Sequence, residues 1–254
     1  MTSHRASLLA PLVADPGGTV LLFDFDGTLS PIVERPDDAR PVEGAVDVLT
    51  ALAGRYRTVG AVSGRPVAFL ASQLPGPVVL SGLYGLESQV DGVARARVGT
   101  EPWRPVVADA VARAQAADIE GVLVEPKGFS VTLHFRARPK AAAAVTRLAA
   151  ELADATGLVA RPAKMSIELH PPVESDKGLA VRELAEGARG VLYAGDDLGD
   201  LPAFAALTDL RAEGVATVSV AVETPELPPE VRAVADLVVP GPAGVVELLR
   251  TLLP

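Results

Sequence analysis

The sequence holds no cysteine among its 254 residues. That excludes disulfides, thiolate-bound metals and cysteine nucleophiles, and it fits a reducing compartment, so the cytoplasm is the expected location. Basic clusters are missing too: the formal net charge is −9, and no stripe of Lys and Arg interleaved with aromatics occurs. Nucleic acid and anionic membrane surfaces are poor partners for such a chain. No apolar run approaches the ~20 residues of a membrane span. The opening "MTSHRASLLAPLVADPGG" carries a short apolar patch broken by Pro11, below the length of a signal-peptide core. A soluble protein is expected. What is abundant is Ala, Val and Leu at helix and strand spacing, giving a mean hydropathy of +0.31 and the pattern of a globular core. The length accommodates one large domain or two modest ones.

Short β-branched runs alternate with Ala- and Leu-rich helical patterns. Residues 19–26, 56–63 and 77–82 read as strands, with helices over 42–55 and 66–74 between them. The alternation resumes after residue 176, with helices 177–187, 200–208 and 243–252 and strands 190–194, 214–220 and 236–239. This order predicts a parallel sheet covered on both faces. The middle of the chain differs. Asp91-Gly92 marks a two-residue hairpin within 86–97. A helix (104–117), a hairpin (121–136), a second helix (139–157) and another hairpin (158–170) follow, which suggests a small antiparallel sheet backed by two helices. In its hairpins Phe129, Val131, Leu133 and Phe135 alternate with Ser130, Thr132, His134 and Arg136, and Met165, Ile167 and Leu169 alternate with Lys164, Ser166, Glu168 and His170. One face packs helices; the other is polar and faces either solvent or a ligand such as a sugar phosphate.

The chemistry concentrates in "VLLFDFDGTLS", residues 20–30. Residues i and i+2 of a strand project to one side, so Asp24 and Asp26 meet at the C-terminal strand end, where open α/β sheets bind ligands. Two adjacent carboxylates repel unless a cation lies between them or one carries a proton. A bare D-x-D is also compatible with a strand-end turn through Gly27, but the full D-x-D-G-T after an apolar strand is more demanding.

"DFDGTLSPI" resembles the first motif of the haloacid-dehalogenase-like (HAD) phosphatases. "AVSGR" (61–65) resembles the second, Lys177 in "ESDKGLAV" the third and "YAGDDLGD" (193–200) the fourth, all in the expected order. The resemblance implies a Rossmann-like parallel-sheet core, Asp24 as nucleophile, Asp26 as general acid and base, and Ser63 and Lys177 as phosphate-charge partners. It implies Mg²⁺ held by Asp24, the backbone carbonyl of Asp26 and Asp196, with Asp197 and Asp200 as further ligands or supports. Gly27, Thr28, Gly64 and Arg65 flank these motifs as substrate-side residues.

The α-β-β-α-β-β insert resembles the cap of the trehalose-6-phosphate phosphatases, as do "FDGTLSPIVERPDDARP", "GLYGLE" (82–87), "VEPKGFSVTLHFR" and "KMSIELHPPVESDKG". The fold implied is α/β: a core of residues 1–100 and 175–254 with an inserted α+β cap, 101–174. The family pattern implies that Glu125, Lys127, Arg136 and Glu168 hold sugar hydroxyls or help place the phosphate, that His134 either joins them or is structural, and that Gly82 and Glu87, at the core-cap junction, close over the substrate, with trehalose 6-phosphate as the small-molecule partner. The chain departs from the family's G-D-D-x-T-D-E: Gly199 and Leu201 replace Thr and Glu. A related sugar-phosphate phosphatase, of the sucrose-phosphate or mannosylglycerate-phosphate type, is the alternative. A phosphoacceptor receiver module accounts for neither the insert nor the second acid. A monomer is expected, whose cap closes on substrate about joins near 98–104 and 171–176.

Overall fold

The computed structural model describes residues 3–74, 76–163, 165–225 and 227–254. Its strands are β1 (Thr19–Phe23), β2 (Thr58–Val62), β3 (Val79–Gly82), β4 (Glu87–Val90), β5 (Val93–Ala96), β6 (Leu123–Pro126), β7 (Val131–His134), β8 (Val159–Ala163), β9 (Ser166–His170), β10 (Gly190–Gly195), β11 (Ala216–Glu223) and β12 (Leu237–Pro240). Its helices are α1 (Ser3–Ala14), α2 (Ala45–Ala53), α3 (Val67–Gln73), α4 (Arg104–Ala116), α5 (Ala142–Thr156), α6 (Lys177–Leu184), α7 (Leu201–Ala212), α8 (Pro229–Val234) and α9 (Gly241–Arg250). The chain divides into one unit of residues 1–95 and 175–254 and a second of residues 96–174.

In the first unit an eight-stranded sheet runs β12-β11-β10-β1-β2-β3-β4-β5. The six strands from β12 to β3 are parallel, and β4 turns back antiparallel on β3. β1 and β10 lie centrally and are buried along their whole length. Successive residues of β1 serve opposite layers: Leu21 and Phe23 join one core with α1, α2, α3 and α9, while Val20 and Leu22 join another with α6, α7 and α8. Each such side chain taken from water contributes about 1.5–3 kcal/mol, so β1 is anchored on both faces and its end is a rigid platform. The Asp91-Gly92 turn joining β4 and β5 has φ of 51° and 76°, the left-handed pair that a tight hairpin needs.

Two helices go beyond the sequence expectation. α1 forms despite Pro11, because Leu9 and Leu12 are buried on the core and repay the lost backbone bond. α8 is a single short turn whose buried residue is Val231.

The second unit is a four-stranded antiparallel sheet, β6-β7-β9-β8, with α4 and α5 packed against Val131, Leu133, Ile167 and Leu169. The opposite face carries a cross-strand row. Glu125 pairs with Thr132, Thr132 with Glu168 and Glu168 with Arg161. One expectation is corrected here: β7 stops at His134, and Arg136 sits exposed in the following turn instead of continuing the polar face. The Phe135 amide bonds to the Met165 carbonyl and ends the ladder there. Lys164, also expected on the polar face, lies outside the described residues.

Candidate active site

β1 ends at Phe23, and the chain then closes a tight loop. The amides of Thr28, Leu29 and Ser30 all donate to the Phe25 carbonyl (3.3, 2.9 and 2.9 Å), and Phe25 itself is fully buried against Phe69. This loop presents Asp24 and Asp26 differently. Asp24 is buried, 3.0 Å from the Lys177 ammonium. Asp26 is partly exposed, and both its oxygens accept from Arg65, at 2.6 Å from Nε and 2.7 Å from the terminal nitrogen. Arg65 in turn stacks on Phe69.

The "GDDLGD" segment follows β10. Asp196 is buried and accepts from the Thr28 hydroxyl (3.3 Å), and Gly27, at φ 79°, passes so close that a Cβ there would lie 2.1 Å from an Asp196 oxygen. Only glycine permits that approach. Asp200 is saturated. It accepts from Lys177 Nζ (2.6 Å), the Tyr193 hydroxyl (2.5 Å) and the amides of Asp196 (2.8 Å) and Asp197 (3.0 Å). Asp197 is exposed beside it.

Lys177 is the first residue of α6, whose start is capped by the Asp176 side chain accepting from the Leu179 amide (2.8 Å). Ser63, buried at the end of β2, accepts from the Arg65 amide (3.2 Å). Glu87 accepts from the Val67 amide at 2.6 Å and caps the start of α3. Gly82 packs against that same segment, 2.7 Å from the Val67 nitrogen by any added Cβ. Tyr193 and Asp176 escaped the sequence reading. A tyrosine on an otherwise aliphatic buried strand was the signal for the first, since its hydroxyl needs a partner.

The electrostatics are unbalanced. Asp24, Asp196 and Asp200 offer oxygens within 4.8 Å of one another, against one ammonium. Burial, with repulsion from the neighbouring acids, pushes Asp24 well above the carboxylate range despite Lys177, and pushes Asp196 up to about 8. Burial disfavours the Lys177 ammonium, yet Asp200 and Asp24 hold its pKa well above the ordinary lysine value. Asp200 is lowered, because Lys177, Tyr193 and the Asp197 amide outweigh its burial. An all-oxygen, buried, excess-negative cluster fits a hard divalent cation, and Asp24 and Asp196 could hold one, since four donors already occupy Asp200.

In the second unit a Glu125 carboxylate oxygen accepts from His134 Nε2 at 2.7 Å and lies 3.6 Å from Lys127 Nζ. Glu168 is buried and accepts from the Ser130 hydroxyl (2.7 Å). Thr132, between the two glutamates in register, is buried with its hydroxyl unpartnered among the described residues.

Residues 22–231 match the family described as Trehalose-phosphatase. The chain belongs to the trehalose-phosphatase family. A trehalose-phosphate phosphatase of Mycobacterium avium is 38% identical over 210 residues, covering 77% of this chain and 53% of that protein. The chain thus spans about half the length of that relative. Among solved structures, the C-terminal domain of C. albicans trehalose-6-phosphate phosphatase superposes with a TM-score of 0.79 at 24% identity, over 98% of this chain and 96% of that one. A trehalose-6-phosphate phosphatase related protein gives a TM-score of 0.76 at 24% identity, over 92% and 96%. Those likenesses establish the α/β fold of this trehalose-phosphatase family member. No helix among its described residues is long and apolar enough to cross a membrane.

Proposed function

We propose that the protein is a Mg²⁺-dependent phosphatase that hydrolyses trehalose 6-phosphate to trehalose and phosphate through an aspartyl-phosphate on Asp24. The observation that carries this reading is the buried Asp24 held 3.0 Å from Lys177 within the acidic cluster, in a chain of this family. A phosphate dianion repels an attacking carboxylate, so the site needs fixed positive charge. Lys177 supplies it permanently, because Asp200 and Asp24 keep it charged. When bound, Mg²⁺ would be held by Asp24 and Asp196, with the Asp26 carbonyl, and would add charge neutralisation there.

An Asp24 oxygen attacks phosphorus, the bond from phosphorus to the sugar oxygen breaks, and Asp26 gives that oxygen its proton. Asp26 then takes a proton from water as it attacks the acyl phosphate, which releases inorganic phosphate and restores Asp24. Because Arg65 holds both Asp26 oxygens, proton delivery requires Asp26 to exchange an Arg65 contact for the leaving oxygen. The Ser63 hydroxyl, which accepts from the Arg65 amide, donates its proton to a phosphate oxygen. In the inserted unit, Glu125, Lys127, His134 and Glu168 offer paired acceptors and donors suited to vicinal hydroxyls.

Phosphate release from trehalose 6-phosphate, sucrose 6-phosphate, mannosylglycerate phosphate and glucose 6-phosphate, with Mg²⁺ and with EDTA, tests the reading. A preference for trehalose 6-phosphate that vanishes in EDTA is expected. Equal rates on glucose 6-phosphate would sink the substrate assignment, and EDTA-resistant turnover would sink the metal.

A further inference from the structure

One half-buried side chain at the meeting point of the site's loops has no part in the chemistry above. Tyr84 lies in the turn Leu83–Gly85, where Leu83 and Tyr84 adopt φ of 51° and 57°. Two successive non-glycine residues in the left-handed region persist only where the surroundings over-determine them, and such positions gather at functional sites. The turn is pinned from two sides. The Leu83 amide donates to the Arg65 carbonyl and the Tyr84 amide to the Ser63 carbonyl, both at 3.0 Å. It also packs on α6, which begins with Lys177.

The ring completes the contact. A Cβ on Gly64 would lie 2.7 Å from both Cζ and the hydroxyl oxygen of Tyr84, so the end of the phenol rests on the Gly64 backbone. A Cβ on Gly199 would lie 3.7 Å from Tyr84 Cε1 and 3.0 Å from an Asp197 oxygen. Gly199, where the sequence departs from the fourth motif, thus lies near the Cε1 edge of the ring, at the distance an added methyl would fill.

We propose that Tyr84 is a positioning residue whose ring, lodged between Gly64 and Gly199, clamps the phosphate-side loop Ser63–Arg65 to the acid loop Asp196–Asp200. Those two loops are distant in sequence, and a transferring phosphoryl group must touch both at once. A loose register between them costs rate steeply, because positioning is most of what such a site supplies. The inference rests on the phosphatase reading for its consequence, but the clamp itself does not.

Hydrogen exchange on the free protein therefore tests the clamp directly, comparing wild type, Tyr84→Ala and Tyr84→Phe. In Tyr84→Ala, peptides covering 63–67 and 196–201 should both exchange at least tenfold faster, while β10 stays unchanged; Tyr84→Phe, which keeps the ring, should match wild type. Acceleration of neither loop, or of one alone, overturns the clamp, as does a Tyr84→Phe protein as loose as Tyr84→Ala. Orthovanadate titration in saturating Mg²⁺ gives the functional readout: about tenfold weaker vanadate binding in Tyr84→Ala, with Mg²⁺ affinity within twofold of wild type. Equal losses for both ligands would mean general loosening and count against the proposal. If wild type binds no vanadate, the phosphatase reading fails while the exchange result still decides the clamp. Should Tyr84→Ala not fold, Tyr84→Leu carries the same comparison.

Discussion

The two units treat charge in opposite ways. In the parallel-sheet unit Asp24, Asp196, Asp200 and Lys177 are 5%, 3%, 0% and 2% exposed, three acids against one base, with the excess unpaired. In the inserted unit, the Glu125, Lys127 and His134 trio is only half-buried, and its members already satisfy one another. Glu168 is buried there but finds Ser130. The first arrangement is unstable without a cation and a polarised substrate, and therefore commits the site to ionic chemistry. The second is stable alone and can exchange its internal bonds for those of a polar ligand. Burial concentrates unbalanced charge in one unit; the other carries a half-open polar face whose charges are balanced.

Substitutions that separate rate from recognition would break or sharpen that contrast. The largest effect is expected from Asp24→Asn, which should abolish phosphate release from every phosphomonoester, trehalose 6-phosphate and para-nitrophenyl phosphate alike. Residual turnover on either would remove Asp24 as nucleophile. Lys177→Met should follow, since stripping the cation from between Asp24 and Asp200 leaves two buried acids uncompensated. A loss of about 3–5 kcal/mol in stability, read by urea unfolding, is the expected outcome for a broken buried pair.

A pH effect comes next. Asp196 has a folded pKa of about 8 against an ordinary 3.8, so the folded protein keeps a proton that the unfolded chain has released. The stability that Asp196 contributes to the metal-free protein should be fully present below pH about 4 and be lost as pH rises to about 8, read as the difference between wild type and Asp196→Asn. Melting temperatures in EDTA across that window measure it; a rise instead of a decline contradicts the assignment, and Mg²⁺ should flatten the slope.

The inserted unit should answer differently. Glu168→Gln keeps the shape and an acceptor for Ser130, so the fold stays intact while KM for trehalose 6-phosphate rises about tenfold, roughly 1.4 kcal/mol. Turnover of para-nitrophenyl phosphate should not change, and a parallel loss on both substrates would place Glu168 outside sugar recognition. The smallest effect belongs to Thr132→Val. Removing a buried hydroxyl that has no partner should raise the melting temperature by the equivalent of about 1 kcal/mol. A lower melting temperature would show that the hydroxyl is satisfied.

Much of this was legible in the sequence because its signals are local. The period-2 hairpins, the Asp91-Gly92 turn and the strand-helix alternation each depend on a few neighbouring residues, and the structure has them. α1 was not legible, since Pro11 argues against a helix locally and only burial of Leu9 and Leu12 overrides it. Arg136 shows the same limit. Alternation continued past His134 on paper, but the strand ended when its ladder partner did. The bond from the Val67 amide to Glu87 was not legible either, because it joins residues twenty positions apart.

By itself the sequence determined which groups are candidates for the chemistry: the residue types and order of Asp24, Asp26, Ser63, Lys177, Asp196 and Asp200, each near the end of a core strand or the start of a helix. Tertiary structure decided how those groups divide the work. Only packing shows that Asp24 faces Lys177 while Asp26 is held by Arg65, and that Asp200 is consumed by Tyr193, Lys177 and two amides. The physical reason is that ionic character depends on distance and burial. Both are set by contacts between segments far apart in the chain, which local sequence signals do not encode.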